Sequence, residues 1–394
     1  MHGHWTLVDI RIPPNGLARG PGDYSNYKVE ATFCEIDWDL HKEDPSRVSF
    51  FSGLMEQSKS CSHTMRTFDL HAIVRTLRGY DNGPDATMRS IPPTGVIFHE
   101  SRCGSTLAAN VLAAFAPHKT RVYSEHVVPI AALKGCDDHD CDPGVHMEFI
   151  RDVYYVMGRA PIDSDMEYVF YKTNSGGLYI DKFTSAFPDT PWTYIFRDSY
   201  EIMQSHWKVP EEDLVDNTND RNAKKKNKAV AKCSRMYRNP HQPPTTAAVL
   251  ERVNRSYHEL TQTEYCAVHL AGISSAVMQE HERSGKGRFV DYTQMPDVMW
   301  ETVLPLDFGI QMEPYMIDNM RQFTHVYSKG HQAGRANEKW TADTADKRKR
   351  ISANVTRAVD TYCPDTYERL DDISQRQRRS SDTWWLPSST VRAG

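Results

Sequence analysis

The stretch from Val96 to Phe115 constrains this chain more than any other. Val96, Ile97 and Phe98 form a short apolar run that reads as a buried strand, and the polar loop "HESRCGST" follows it. Leu107, Val111, Leu112 and Phe115 then recur at helical spacing, so the order is strand, loop, helix. A turn of small residues at a helix N-terminus is an anion site. Its outward N–H groups lack helical partners, and the helix dipole adds about half a positive charge there. Ser105 and Thr106 supply hydroxyl donors, and Gly104 lets a phosphate approach the backbone closely. A nucleoside-triphosphate loop carries a lysine directly after its glycine. Here Ser105 occupies that place and the cation, Arg102, precedes the glycine, which opposes an NTPase.

Two further apolar runs, "EYVFYK" at 167–172 and "WTYIFR" at 192–197, alternate with helical patterns such as "SYEIMQSHW". Such alternation predicts an α/β fold, a parallel sheet with helices on both faces, and ligands in such sheets sit beyond the carboxyl ends of the strands. The loop at 99–106, "KTNS" at 172–175 and "RDS" at 197–199 all lie at such ends, so three polar clusters are expected to meet in one crevice.

The chain of 394 residues, 39% hydrophobic and 25% charged, can bury one large core or two ordinary ones. Its net charge of -5 opposes a general nucleic-acid binder, so no nucleic-acid partner is expected. No apolar run approaches the roughly 20 residues of a membrane helix, and "MHGHWTLVDIRIPPNG" is no signal peptide. A soluble protein is expected, the cytoplasm being slightly favoured. None of the eight cysteines forms a CxxC pair. "CDDHDC" at 136–141 is compatible with a bridge, a metal site or an acidic surface loop.

Residues 1–90 read as an N-terminal extension packed on the core and 91–350 as the α/β domain. A polar segment at 208–245 holds the basic run "RNAKKKNKAVAKCSRMYR", either a solvated loop or a lid over an anionic ligand. Residues 351–394 read as a polar tail, with "SQRQRRSSD" expected to be loosely ordered.

"SRCGSTL" resembles the 5′-phosphosulfate loop of the sulfotransferases, in which a basic residue, a small residue, glycine and two hydroxyl residues occur in that order. "FPDTPWTYIFRDSYEIMQSHW" looks like the 3′-phosphate motif of the same family, a strand ending in arginine with a serine eight residues on. The resemblance extends more weakly over residues 95–350, through "VDYTQMP" and "YSKG…KWTADTADKRKR", and does not reach residues 1–90. It implies a three-layer P-loop-like sheet and the sulfate donor PAPS (3′-phosphoadenosine 5′-phosphosulfate). Arg102, Cys103, Gly104, Ser105, Thr106 and Leu107 would then surround the 5′ end of PAPS, and Arg197 and Ser205 its 3′-phosphate. The reaction it implies is sulfuryl transfer to a hydroxyl or amine of a small acceptor, with no metal.

Such a transfer needs cations for the charge building on the leaving phosphate and a base for the acceptor proton. Arg102 and Lys172 are the candidate cations. Cytosolic members take the proton with the histidine of a "KTH" segment, and in "YKTNSG" that position is Asn174, which is no base. Other members use a glutamate after the loop's helix, a place filled by Glu125 in "VYSEHVVP", with His126 the alternative; neighbours on a strand face opposite ways, so only one should enter the site. Tyr123, Tyr171 and Trp207 are candidate acceptor contacts or core residues. The competing readings are an ATP-using P-loop kinase and a non-catalytic nucleotide-binding module.

Overall fold

The computed structural model describes residues 5–14, 16–17, 24–25, 27–137, 141–206, 243–324 and 351–382. Ten strands occur among them. The central sheet is wholly parallel and has five strands: β5 (Gly95–His99), β6 (Thr120–Ser124), β8 (Tyr168–Thr173), β9 (Trp192–Phe196) and β10 (Arg288–Asp291). Their order is β10-β9-β5-β8-β6. From β5 the chain goes to one edge for β6, returns through β8, then crosses to the other side for β9 and β10. The switch in strand order therefore lies at β5, where an α/β sheet opens a ligand crevice. All five residues of β5 are buried, as befits a strand covered on both faces.

Helices cover both faces, giving the expected three-layer α/β architecture. The helix after β5, Ser105–Ala114, is buried along its whole length. The 23-residue helix Gln262–Ser284 opens on a capping box, Thr261 with Glu264, and runs past the same strand ends.

Residues 5–90 build an antiparallel sheet, β1 (Trp5–Arg11), β2 (Glu30–Glu35) and β3 (Arg66–Asp69), followed by the helix Leu70–Asp81. Leu7, Phe33, Trp38 and Phe51 share one apolar cluster with Val96 and Tyr123 of the main sheet. A short ribbon, β4 (Met88–Ser90) with β7 (Arg159–Pro161), ties the two parts again. Disulfides join Cys34 to Cys61 and Cys136 to Cys141, so of the alternatives for "CDDHDC" the structure takes the bridge.

The expected loose tail is corrected. Residues 353–382 form two helices, Ala353–Tyr362 and Thr366–Asp382, which bury Val359, Tyr362 and Leu370. β10 is an edge strand, and Gln377 from "SQRQRRSSD" satisfies its open backbone groups: its Oε1 accepts from Phe289 N at 2.9 Å, and its Nε2 donates to Gly287 O at 2.8 Å. A polar stretch is ordered because polar atoms are what an open strand edge requires. The basic run at 221–238, Trp207 and "YSKG…KRKR" lie outside the described residues.

Candidate functional site

At the carboxyl end of β5 lies a cavity of about 270 Å³. Its floor is the loop: Ser101, Arg102, Gly104, Ser105 and Thr106 line it. Gly104 caps the loop's helix at φ 85°, a left-handed conformation that favours glycine, and a Cβ there would meet the Tyr292 ring at 2.5 Å. Both conditions demand glycine. Arg102 also sits in the left-handed region, at φ 72°, and so does Glu125 across the cavity, at φ 51°. Such backbone costs about 1 kcal/mol or more at a residue with a side chain and clusters at functional sites. Two of the four non-glycine residues described with positive φ thus face this one cavity.

The predicted 5′ residues divide. Arg102, Gly104, Ser105 and Thr106 line the cavity, whereas Cys103 and Leu107 do not. Cys103 is fully buried, its thiol donating to Glu100 O, and Leu107 belongs to the core beneath the sheet. Their part is to anchor the turn.

The two separated segments meet. Arg102 Nε donates to Ser205 Oγ at 3.3 Å across 103 residues of sequence. Arg197 is nearby but differently placed. Its side chain is 4% exposed, Nε donates to Glu201 at 2.6 Å, and the guanidinium lies 4.2 Å over the Tyr292 ring. Tyr292 therefore packs on both the loop glycine and the strand-end arginine.

Glu125 faces the cavity with its side chain 35% exposed. Lys172, fully buried, stands one layer behind it and donates to Glu125 Oε1 at 2.7 Å. The two expected roles, cation and base, thus belong to one ion pair. The turn is held by Glu125 N donating to Lys172 O at 2.7 Å. His126 points the other way. It is 2% exposed, stacks on Phe51, shares a hydrogen bond with Leu7 O through Nε2 and accepts from Val128 N through Nδ1. Burial lowers its pKa to about 3. His126 caps the helix Val127–Leu133 and ties β1 to the sheet, so it does not reach the cavity. Tyr123 and Tyr171 stack on each other in the core at 5.3 Å and do not line the cavity either; their flat rings fill the layer between the two sheets.

Four features have no individual role assigned from the sequence. His99, the last residue of β5, lines the cavity with its Nε2 3.7 Å from Glu125 Oε1. Glu100 is wholly buried: Oε2 accepts from Arg197 N at 3.0 Å, and Oε1 lies 2.8 Å from Ser274 Oγ. Desolvation raises the Glu100 pKa to about 8. The Ser274 hydroxyl, with one proton, also neighbours Leu270 O at 3.0 Å and Tyr194 Oη at 3.1 Å. A protonated Glu100 that donates to Ser274, while Ser274 donates to Leu270 O, satisfies all of them. The other two features are Phe50, brought from the N-terminal region to within 5.0 Å of Lys172 Nζ, and the wall made by Cys266, His269, Leu270 and Ile273 of the long helix. His99 and Glu100 had a signal in the sequence, being polar residues directly after a buried strand; Phe50 and the long helix had none.

No protein-family model matches the sequence, and no curated protein matches it. Among solved structures the chain is similar to the sulfotransferase domain from the curacin biosynthetic pathway, at 12% identity and TM-score 0.36, over 69% of this chain and 97% of that one. A sulfotransferase from Alicyclobacillus acidocaldarius follows at 10% identity and TM-score 0.31, over 65% of this chain and 98% of that one. Another, from Mycobacterium avium, has 11% identity and TM-score 0.38, over 74% of this chain and 81% of that one.

Proposed function

We propose that this chain is a sulfotransferase that moves a sulfuryl group from PAPS to a hydroxyl or amine of a small acceptor, with Glu125 as general base. The observation that carries the reading is the contact between Arg102 and Ser205, which joins the glycine turn to the segment after β9 beside a cavity that also holds Glu125. A donor with phosphate at both ends of one adenosine needs two anion-holding segments side by side. The donor set also fits: two hydroxyls, a helix N-terminus and a half-buried arginine face the cavity.

In this reading Ser105, Thr106 and Arg102 hold the 5′ end. Lys172 supplies the cation for the leaving phosphate, and Glu125 receives the acceptor proton. The Lys172 ammonium lies 2.7 Å from Glu125 Oε1, so cation and base start as partners. Arg197 serves the 3′-phosphate only if the ligand competes with Glu201 for its guanidinium. Phe50 supplies an apolar face to the acceptor. The Cys34–Cys61 bridge supports an oxidising compartment rather than the cytoplasm.

The test is incubation with labelled PAPS and a broad acceptor panel, with and without EDTA, together with thermal-shift titrations of PAP against ATP. PAP is expected to raise the melting temperature where ATP does not, and transfer is expected to persist in EDTA. Glu125→Gln is expected to leave PAP affinity unchanged and to lower kcat by about 10²–10⁴-fold. Stabilisation by ATP alone would sink the reading in favour of a kinase.

A further inference from the structure

We infer that His99 is the proton partner of Glu125, a positioning residue that takes up the proton the base removes from the acceptor. The inference rests on the sulfotransferase reading for its catalytic meaning, and on geometry for the pairing itself. His99 ends the central strand and is 1% exposed. Its Nδ1 lies 2.8 Å from Glu100 O and 3.0 Å from Ser105 Oγ. A carbonyl oxygen only accepts, so Nδ1 carries the hydrogen, and in the neutral ring Nε2 is the acceptor. That Nε2 faces Glu125 Oε1 at 3.7 Å, about 0.7 Å beyond an ordinary hydrogen bond. Pairs of this kind tighten when a substrate is in place. The loop is thus joined to the base through one ring: Ser105, His99, Glu125, with Lys172 on the same carboxylate oxygen.

An acceptor oxygen forms its bond to sulfur as the bond from sulfur to the phosphate oxygen breaks, and that electron pair stays on PAP. The acceptor proton passes to Glu125 and on to His99 Nε2, which gives an imidazolium. Positive charge thereby arrives beside Ser105 as negative charge collects on the phosphate the loop holds, so each compensates the other. The proton leaves to water with the product. The other charged or titratable groups on the surrounding elements are Arg102 in the loop, Lys172 on β8, His206 and His269 on the helices lining the cavity, and Glu100 beside it in sequence. Burial holds the His269 pKa down at about 4, so that ring is neutral at neutral pH.

The experiment is a pH titration by NMR of the full chain labelled in its histidine rings, with the His99 signal identified by its loss in His99→Asn. In the wild type the neutral ring is expected as the Nδ1–H tautomer, and its midpoint is expected to fall by about one pH unit in Glu125→Gln. Glu125→Asp, which withdraws the carboxylate, is expected to lie between. With PAPS and an accepted substrate, His99→Asn keeps a donor for Glu100 O. It is expected to leave PAP affinity within about two-fold while lowering kcat by about 10²-fold or more and flattening one limb of its pH profile. An Nε2–H tautomer, or equal midpoints in wild type and Glu125→Gln, overturns the inference. A wild-type chain that binds no PAP overturns the sulfotransferase reading instead, and the titration then still decides the pairing.

Discussion

Arg102 and Arg197 occupy similar places in the sequence, each a cation just past the end of a central parallel strand, and the fold treats them in opposite ways. Arg102 is half-buried, lines the cavity and touches Ser205. Arg197 is 4% exposed, paired with Glu201 four residues later, and stacked on Tyr292, with its backbone N–H held by Glu100. The first borders open space; the second is compensated by the chain itself. An arginine at a strand end is therefore not one signal but two, separated by whether a carboxylate lies within reach on the following helix.

The largest expected difference between the two arginines is in stability. Arg197→Ala removes the cation paired with the buried Glu201 and is expected to cost about 3–5 kcal/mol in denaturant unfolding. The double variant Arg197→Ala with Glu201→Gln should recover most of that loss. If the single variant unfolds like the wild type, the pair is not a buried structural one. Next comes affinity. Arg102→Ala is expected to weaken PAP binding by about 1.5–3 kcal/mol by calorimetry, the value of a charge-assisted hydrogen bond, with little change in stability. Equal PAP losses in Arg102→Ala and the double variant would erase the distinction between the two arginines.

Smallest per unit change is the pH slope set by Glu100, which holds the Arg197 backbone to the loop. Its pKa is raised from 4.5 to about 8, so between those values the folded chain binds a proton that the unfolded chain has released. Its contribution therefore makes stability fall as pH rises through that window, by up to about 1.4 kcal/mol per pH unit, and it is flat below 4.5. Glu100→Gln mimics the protonated carboxyl and is expected to remove that slope from urea-melt midpoints measured across the window. A slope that survives the substitution would mean Glu100 is ionised in the folded protein.

The legible parts are those with a local cause. Val96–Phe98 followed by a glycine turn and the spacing of Leu107, Val111 and Leu112 reveal a strand and a helix within twenty residues, because alternation and helical periodicity are properties of neighbours. The tail defeats local reading because Gln377 is ordered by β10, nearly ninety residues earlier, and a polar stretch carries no mark of the edge it covers. Phe50 is invisible for the same reason: it reaches the cavity from the N-terminal extension, in the segment between the bridged Cys34 and Cys61.

By itself, then, the sequence determined the layered α/β sheet and the glycine turn at its centre, since short-range pattern and backbone conformation suffice for both. Tertiary structure decided which side chains share a space. Glu125 faces the cavity and His126 the core because a left-handed turn, held by the backbone of β8, separates two adjacent residues. It likewise set His99 beside Glu125 and Glu201 beside Arg197. Charge and proton affinity follow from such neighbours and from burial, and the first of those pairs spans β8, from the end of β5 to the end of β6, so it forms only when the sheet assembles.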